Sequence, residues 1–263
     1  MGPVSNKNVV NALGGPPYGD LTSLNTERTL LDTIGKDTLR RVADLYLNLI
    51  GQSGAIYEKN GDYALGIFSS GWCQVLDAAS RKLCATDDNR AALASGRWLC
   101  HESCWTECSK VSIETGGPVD IECKGGIRLY GVPIRAGGEA IGSINIGYGD
   151  PPRDPAKLRE IAERYGLGLD QLVAQANAYE SRPQSTIEFA KILLHTAAEL
   201  FGEIVEHKRA AESLREQLNE IDRFNKLMVG RELKMEELRK EIQRLQARVQ
   251  ELEQPEAGTG HEQ

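Results

Sequence analysis

The fold is decided by residues 127–149, which read IRLYGVPIRAGGEAIGSINIGYG. Two apolar runs, residues 127–134 and 140–148, flank a turn that contains Gly137 and Gly138. Glycine supplies the positive φ angles that tight hairpin turns require. This stretch is therefore predicted to form an antiparallel β-hairpin.

A second hairpin is predicted earlier in the chain. Residues 55–58 and 63–68 are apolar runs on either side of Asn60-Gly61, a strong two-residue hairpin signal. Strands joined by hairpins pair antiparallel, whereas parallel strands need long crossover connections. The two hairpins predict an α+β fold in which helices flank an antiparallel sheet.

Three helices are predicted around this sheet. Apolar residues recur at helical spacing over residues 39–50, and this helix should end near Gly51. Asp154 can cap a second helix that ends at Gly166, and a third short helix covers about residues 170–180.

A much longer helix is predicted after residue 184. Ser185 and Glu188 fit a capping box, and no strong helix breaker follows before Pro255. Its apolar residues follow a heptad pattern that shifts phase at Gly230, a three-residue stammer. The predicted seam positions are Ile204, Ala211, Leu214, Leu218, Ile221, Asn225 and Met228, then Met235, Leu238, Ile242, Leu245, Val249 and Leu252.

This seam predicts a dimeric coiled coil. Asn225 at an a position is a common device for fixing the register of two strands. The alternative is one amphipathic helix that folds back on its own domain, although the narrow seam and the charged remaining faces favour the coil. The predicted organisation is a disordered leader (1–24), a sensory domain (25–184), a signalling helix (185–252) and a disordered tail (253–263).

The net charge of the 263-residue chain is −7, which argues against a partner that is nucleic acid or an anionic membrane. The N-terminus lacks the features of an export signal, and no apolar stretch is long enough to span a bilayer. We therefore expect a cytoplasmic protein whose six cysteines are reduced thiols or metal ligands.

Three of those cysteines, Cys100, Cys104 and Cys108, recur every four residues and would lie along one face of a helix. The chain has no pair of C-x-x-C knuckles of the kind that zinc ribbons use, whereas iron–sulfur clusters tolerate varied cysteine spacing. Zinc, an iron–sulfur cluster and buried reduced thiols all remain open on this pattern.

Several motifs resemble the PocR-type sensory domain, a PAS- or GAF-like module, over about residues 27–184. The resemblance implies sensing of small hydrocarbon derivatives such as diols. It also implies a place upstream of histidine kinases, diguanylate cyclases or DNA-binding regulators. Residues 224–235 resemble the connector helix that follows PAS-type sensors. The motifs are residues 84–90 (CATDDNR), 117–127 (GPVDIECKGGI), 132–134 (VPI) and 138–142 (GEAIG).

The family pattern has two cysteines that Cys84 and Cys123 match, whereas the segment from Cys100 to Cys108 resembles an insertion. We predict that Cys84, Cys100, Cys104 and Cys123 form one metal site, because four buried thiolates need a cation. The reserve ligands for this site are Cys108, His101 and Cys73.

A small-molecule pocket is predicted on the hairpin of residues 127–149. Glycines in a strand, such as Gly147, often mark a place where a ligand approaches the backbone. Arg128, Tyr130 and Asn145 are the predicted polar ligand contacts, although Arg128 and Tyr130 also fit ordinary strand positions.

The favoured function is a non-enzymatic signal-input protein. It would sense a small molecule or redox state and act, as a homodimer, on a histidine kinase or response-regulator partner. The alternative is a thiol-dependent reductase of the free methionine sulfoxide reductase type, which has no need of the long helix. A phosphotransfer role for His195 or His207 is weaker, since no nucleotide loop is visible.

Overall fold

Both predicted hairpins are present in the computed structural model, which describes residues 18–68 and 70–253. They belong to one five-stranded antiparallel sheet with the order β2-β1-β5-β4-β3. β1 and β5, which are distant in sequence, are neighbours at its centre. The strands are β1 (Ser53–Glu58), β2 (Tyr63–Phe68), β3 (Val119–Glu122), β4 (Arg128–Ala136) and β5 (Glu139–Tyr148).

The predicted helices are confirmed, and further helices lie before α2 (Lys36–Ile50) and between β2 and β3. Gly51 and Gly166 adopt left-handed conformations at helix ends, and Asp154 accepts a capping hydrogen bond from the Lys157 amide. The helices are α1 (Thr29–Ile34), α2 (Lys36–Ile50), α3 (Gly71–Leu83), α4 (Asn89–Leu93), α5 (Leu99–His101), a π-helix (Glu102–Ser109), α6 (Lys110–Thr115), α7 (Pro155–Tyr165), α8 (Leu169–Ala178) and α9 (Gln184–Glu253).

The sheet has an aliphatic face and a thiol face. Alternation along β4 and β5 places Val132, Ile134 and Ile144 on the aliphatic face, where they pack with α2 and with α9 residues such as Phe201. The opposite, thiol face lies under α3, the π-helix and α6, and Asn145 points to it. The predicted α+β class with flanking helices is thus confirmed.

The chain divides into two units, Met1–Lys208 and Arg209–Gln263. The long predicted helix is confirmed as α9, which contributes residues to both units. It begins at Gln184, so Ser185 lies within the first turn instead of capping it. In the second unit every described side chain is exposed.

Part of the predicted disordered leader is ordered. Residues 21–24 form a 3₁₀-helix capped by Asp20, Leu21 is buried, and the Tyr18 ring packs edge-on against Trp98 at 4.7 Å. Residues 1–17 of the leader and 254–263 of the tail lie outside the described residues, as does the side chain of the predicted seam residue Leu252.

A bilayer-spanning helix would need both length and a continuous apolar surface. Within residues 18–68 and 70–253 none of the helices meets both conditions.

Candidate functional site

A small cavity of about 30 Å³ lies on the thiol face of the sheet. It is bounded by α3, by the π-helix and by the turn between β3 and β4. Four of the six cysteines line it, together with apolar walls and three hydroxyl groups. The lining residues are Cys73, Cys100, Cys104 and Cys123, with Phe68, Trp72, Leu76, Gly125, Ile127, Leu129, Ser53, Ser103 and Tyr165.

The π-helix brings Cys104 to the same cavity as Cys100. The Lys110 amide donates to the Trp105 carbonyl, five residues back, which widens the turn relative to an α-helix. Such π-helical turns are rare and often occur at functional sites. Sequence periodicity did not predict this segment, because its residues suit an ordinary α-helix equally well.

Asn145 fixes the position of the π-helix. Its side-chain amide donates to the Cys104 carbonyl oxygen at 3.0 Å and to Ser109 Oγ at 2.9 Å. The residue is buried in the sheet below. This predicted ligand contact therefore holds one wall of the cavity in place.

Cys108 faces the sheet and does not line the cavity. A Cβ atom added to Gly131 would lie 2.6 Å from its sulfur, so the thiol packs on bare strand backbone. Cys108 is completely buried, and burial raises the pKa of its thiol to about 12. It fills space between the π-helix and β4.

Cys84 also lies outside the cavity, at the C-terminal end of α3. Its sulfur contacts the carbonyl oxygens of Ser80 at 3.6 Å and of Ala92 at 3.8 Å. Cys73 lies in the first turn of the same helix, and the step of eleven residues from Cys73 to Cys84 corresponds to about 16 Å along the helix. The structure thus groups Cys100, Cys104 and Cys123 with Cys73 and leaves Cys84 apart.

The cavity thiols are neutral at physiological pH in this state. Burial raises the pKa of Cys73 to about 11 and places those of Cys100 and Cys104 well above their ordinary value. Nearby thiols raise them further, because two negative sulfurs so close would repel one another. The pKa of Cys123 is raised as well, again chiefly by burial.

Backbone amides of the turn between β3 and β4 partly offset the effect of burial on Cys123. The backbone amides of Ile127, Gly125 and Gly126 act against the burial effect on the pKa of Cys123, since each favours the thiolate. The turn is itself anchored, because the Trp72 indole donates to the Gly125 carbonyl at 3.1 Å. The Lys124 amide also donates to Ser103 Oγ at 3.0 Å, which joins this turn to the π-helix.

His101 lies in an aromatic cluster beside the cavity. Its Nδ1 is 3.0 Å from the Tyr63 hydroxyl, and the rings of Tyr57 and Trp98 lie within about 6.4 Å of its ring. Burial lowers the pKa of His101 to about 4, so the ring is neutral at physiological pH. This predicted reserve ligand faces Tyr63 and does not line the cavity.

Asp77 is a buried carboxyl group that the sequence did not single out. It accepts hydrogen bonds from the Tyr18 hydroxyl at 2.6 Å and from the Trp98 indole at 2.8 Å. Burial raises the pKa of Asp77 to about 6, despite these donors and the nearby Arg81. The sequence signal that could have identified Asp77 is its position on the buried stripe of α3, because a buried aspartate needs hydrogen-bonding partners.

Arg128 and Tyr130 lie on the other face of the sheet from Asn145. Arg128 pairs with Asp120, and the Tyr130 hydroxyl is 2.7 Å from His195 Nε2. Gly147 faces the thiol side, where an added Cβ would meet Ser53 Oγ at 2.7 Å. The four predicted ligand contacts are therefore divided between two faces.

Within the described part of the chain, no group of three or more histidine, cysteine, aspartate or glutamate side chains is arranged to hold a single metal ion. The four thiols therefore surround a volume and do not converge on a point.

Comparison with known proteins supplies one match. A family model described as "Sensory domain found in PocR" matches residues 32–206, which is more than half of the chain. No curated protein and no solved structure matches. The matched range contains the whole sheet, the four-thiol cavity and the first part of α9. On this evidence the chain belongs to the PocR sensory domain family.

Proposed function

We propose that the chain is a cytoplasmic signal-input protein without enzymatic activity. Its PocR domain senses a small molecule or a redox state, and a homodimeric coiled coil passes that state to a separate histidine kinase or response regulator. Membership of a sensory family supports the first part of this proposal. The helix α9 supports the second part.

The observation that carries the proposal is an exposed apolar stripe in the second unit. Its side chains recur at heptad spacing, and each is between 40% and 58% exposed. A lone helix gains nothing from such a stripe, whereas a second copy would bury it. The described members are Leu214, Leu218, Ile221, Met228, Met235, Leu238, Ile242, Leu245 and Val249.

The thiol chemistry favours sensing over the reductase alternative. A catalytic cysteine reacts as a thiolate, and such residues sit in exposed, electropositive surroundings that lower the pKa. Here burial raises the pKa of Cys73, Cys100 and Cys104. These thiols are better suited to binding than to nucleophilic attack.

The proposal is tested by changing Leu218 and Ile221 together to glutamate. Each change places a charge in the seam, so the dimer dissociation constant should rise at least about 100-fold, or about 3 kcal/mol. Sedimentation of the full chain should show a dimer for the wild type and a monomer for the variant. Tryptophan fluorescence should stay unchanged, because Trp72, Trp98 and Trp105 all lie in the first unit.

The matched control exchanges Glu216 for lysine and Arg223 for glutamate. Both residues are exposed and occupy the outer f position of the heptad, so this control should remain dimeric. A wild-type chain that is monomeric at micromolar concentration would contradict the proposal. So would equal dissociation of the control and the seam variant.

A further inference from the structure

Four thiols from three separate segments meet at one cavity. Cys73 comes from α3, Cys100 and Cys104 from the continuous α5 and π-helical segment, and Cys123 from the end of β3. Packing alone does not require this convergence. The two remaining cysteines, Cys84 and Cys108, lie apart and fill separate gaps.

The arrangement suits a ligand larger than one ion. A zinc ion draws its sulfur ligands to about 2.3 Å from a single point. No such convergence exists among the described residues. An iron–sulfur cluster instead takes its four cysteine ligands at the corners of a cage. Four thiols around an apolar cavity match that demand.

Hydrogen bonds between the segments that carry the cysteines are the second feature of the site. The Trp72 indole of α3 donates to the Gly125 carbonyl at 3.1 Å, and the Lys124 amide donates to Ser103 Oγ of the π-helix at 3.0 Å. These bonds hold the turn after Cys123 against the two helical segments that carry the other three thiols. Outer hydrogen bonds that orient the ligand-bearing segments are a general feature of metal and cluster sites.

We propose that Cys73, Cys100, Cys104 and Cys123 ligate a [4Fe–4S] cluster. Binding of a preformed cluster with a 2+ core releases four thiol protons to solvent and forms four Fe–S bonds, which leaves a net charge of 2− and transfers no electrons. The cluster as a signal rests on the proposed sensory function, whereas the site itself does not.

Occupation of the site has a structural consequence. The cavity of about 30 Å³ has room for about one or two water molecules. A cluster therefore requires the lining segments to separate, so the loaded and empty states differ in packing. A ligand that binds one of two packings more tightly shifts the balance between them, as signalling requires.

The experiment is anaerobic reconstitution of the full chain with ferric iron, sulfide and a thiol reductant, which reduces two of the four irons to the ferrous state that a 2+ core contains. About four iron and four sulfide atoms per chain are expected, with a visible absorption band that dithionite bleaches. Serine at Cys73, Cys100, Cys104 or Cys123 should abolish most of this band. Serine at Cys84 or Cys108 should leave it, and these two buried cysteines are the matched controls.

Mössbauer spectra of the wild type loaded with ⁵⁷Fe decide the question even if a variant fails to fold. A cubane signature supports the proposal. One iron or zinc ion per chain without sulfide overturns it, as does a folded wild type that retains no iron. Loss of the band in the Cys84 variant, with Cys73→Ser unaffected, also overturns it. None of these results changes the sedimentation outcome, so the dimeric proposal stands or falls separately.

Discussion

The two parts of α9 place similar residues in opposite surroundings. In residues 184–208, Leu194 and Phe201 are completely buried against the aliphatic face of the sheet. In residues 209–253, Phe224 is 61% exposed and Leu218 is 57% exposed. Apolar content alone therefore does not say what a helix packs against. The first part packs within its own domain, whereas the apolar side chains of the second part are exposed.

The largest effect is expected from a matched pair of phenylalanines. Phe201→Ala should lower the free energy of unfolding of the first unit by about 3–5 kcal/mol, because it leaves a cavity in a closed core. Phe224→Ala should change it by less than about 0.5 kcal/mol. Urea unfolding followed by tryptophan fluorescence measures both, since all three tryptophans report on the first unit. Equal effects would erase the contrast between the two parts of the helix.

A smaller effect is expected from a pair of glycines, and its sign should differ between the two. A Cβ atom at Gly202 would overlap the backbone carbonyl oxygen of Arg135, whereas Gly230 has nothing within 4 Å. Gly202→Ala should therefore lower the stability of the first unit by about 1–2 kcal/mol, although alanine is the better helix former.

The control is Gly230→Ala, which should stabilise its part of the helix by about 1 kcal/mol. Helical circular dichroism during heating should show this gain, while the tryptophan-reported transition stays in place. Stabilisation of the first unit by Gly202→Ala would mean that the helix does not approach β4 so closely.

The smallest effect is expected from a pair of lysines. The Lys191 ammonium lies 3.2 Å from Asp120 and 4.4 Å from the centre of the Tyr148 ring, whereas Lys226 pairs with Asp222 in an exposed position. Lys191→Met should lower the stability of the first unit by about 1 kcal/mol. Lys226→Met should leave the same transition unchanged.

The effect of Lys191→Met should also depend on pH. Burial raises the pKa of Asp120, but hydrogen bonds from Tyr148, Arg128 and Lys191 outweigh it and hold the pKa below its ordinary value. This stabilisation is present above the ordinary pKa and is lost as the pH falls through the lowered one. The difference between wild type and variant should therefore shrink in acid, and a constant difference would assign it to packing alone.

Much of the fold was predictable because its signals are local. The turn at Gly137-Gly138 and the helix ends at Gly51 and Gly166 depend on φ angles that neighbouring residues determine. The heptad stripe from Leu214 onward depends only on helical periodicity. The strand β3 was not predicted, because its four residues acquire their structure by pairing with β4.

The composition of the site was less predictable. Three of the four cavity thiols were in the predicted metal set, but Cys73 was only a reserve and Cys84 was preferred to it. Spacing along the chain could not separate these two, because they lie at opposite ends of α3 and both are buried. Arg128 and Asn145 were likewise assigned to one pocket, although strand alternation and pairing place them on opposite faces.

The sequence by itself determined the strands of both hairpins, the Asp154 cap, the helix ends at Gly51 and Gly166, and the heptad stripe, since each depends on residues a few positions apart. Only the tertiary structure decided which cysteines meet, because α3 carries Cys73 to the cavity and ends about 16 Å farther on at Cys84. It also decided that Phe201 is covered and Phe224 is not. Both outcomes depend on which surfaces the fold brings together, and contacts between distant segments leave no periodic signal in the chain.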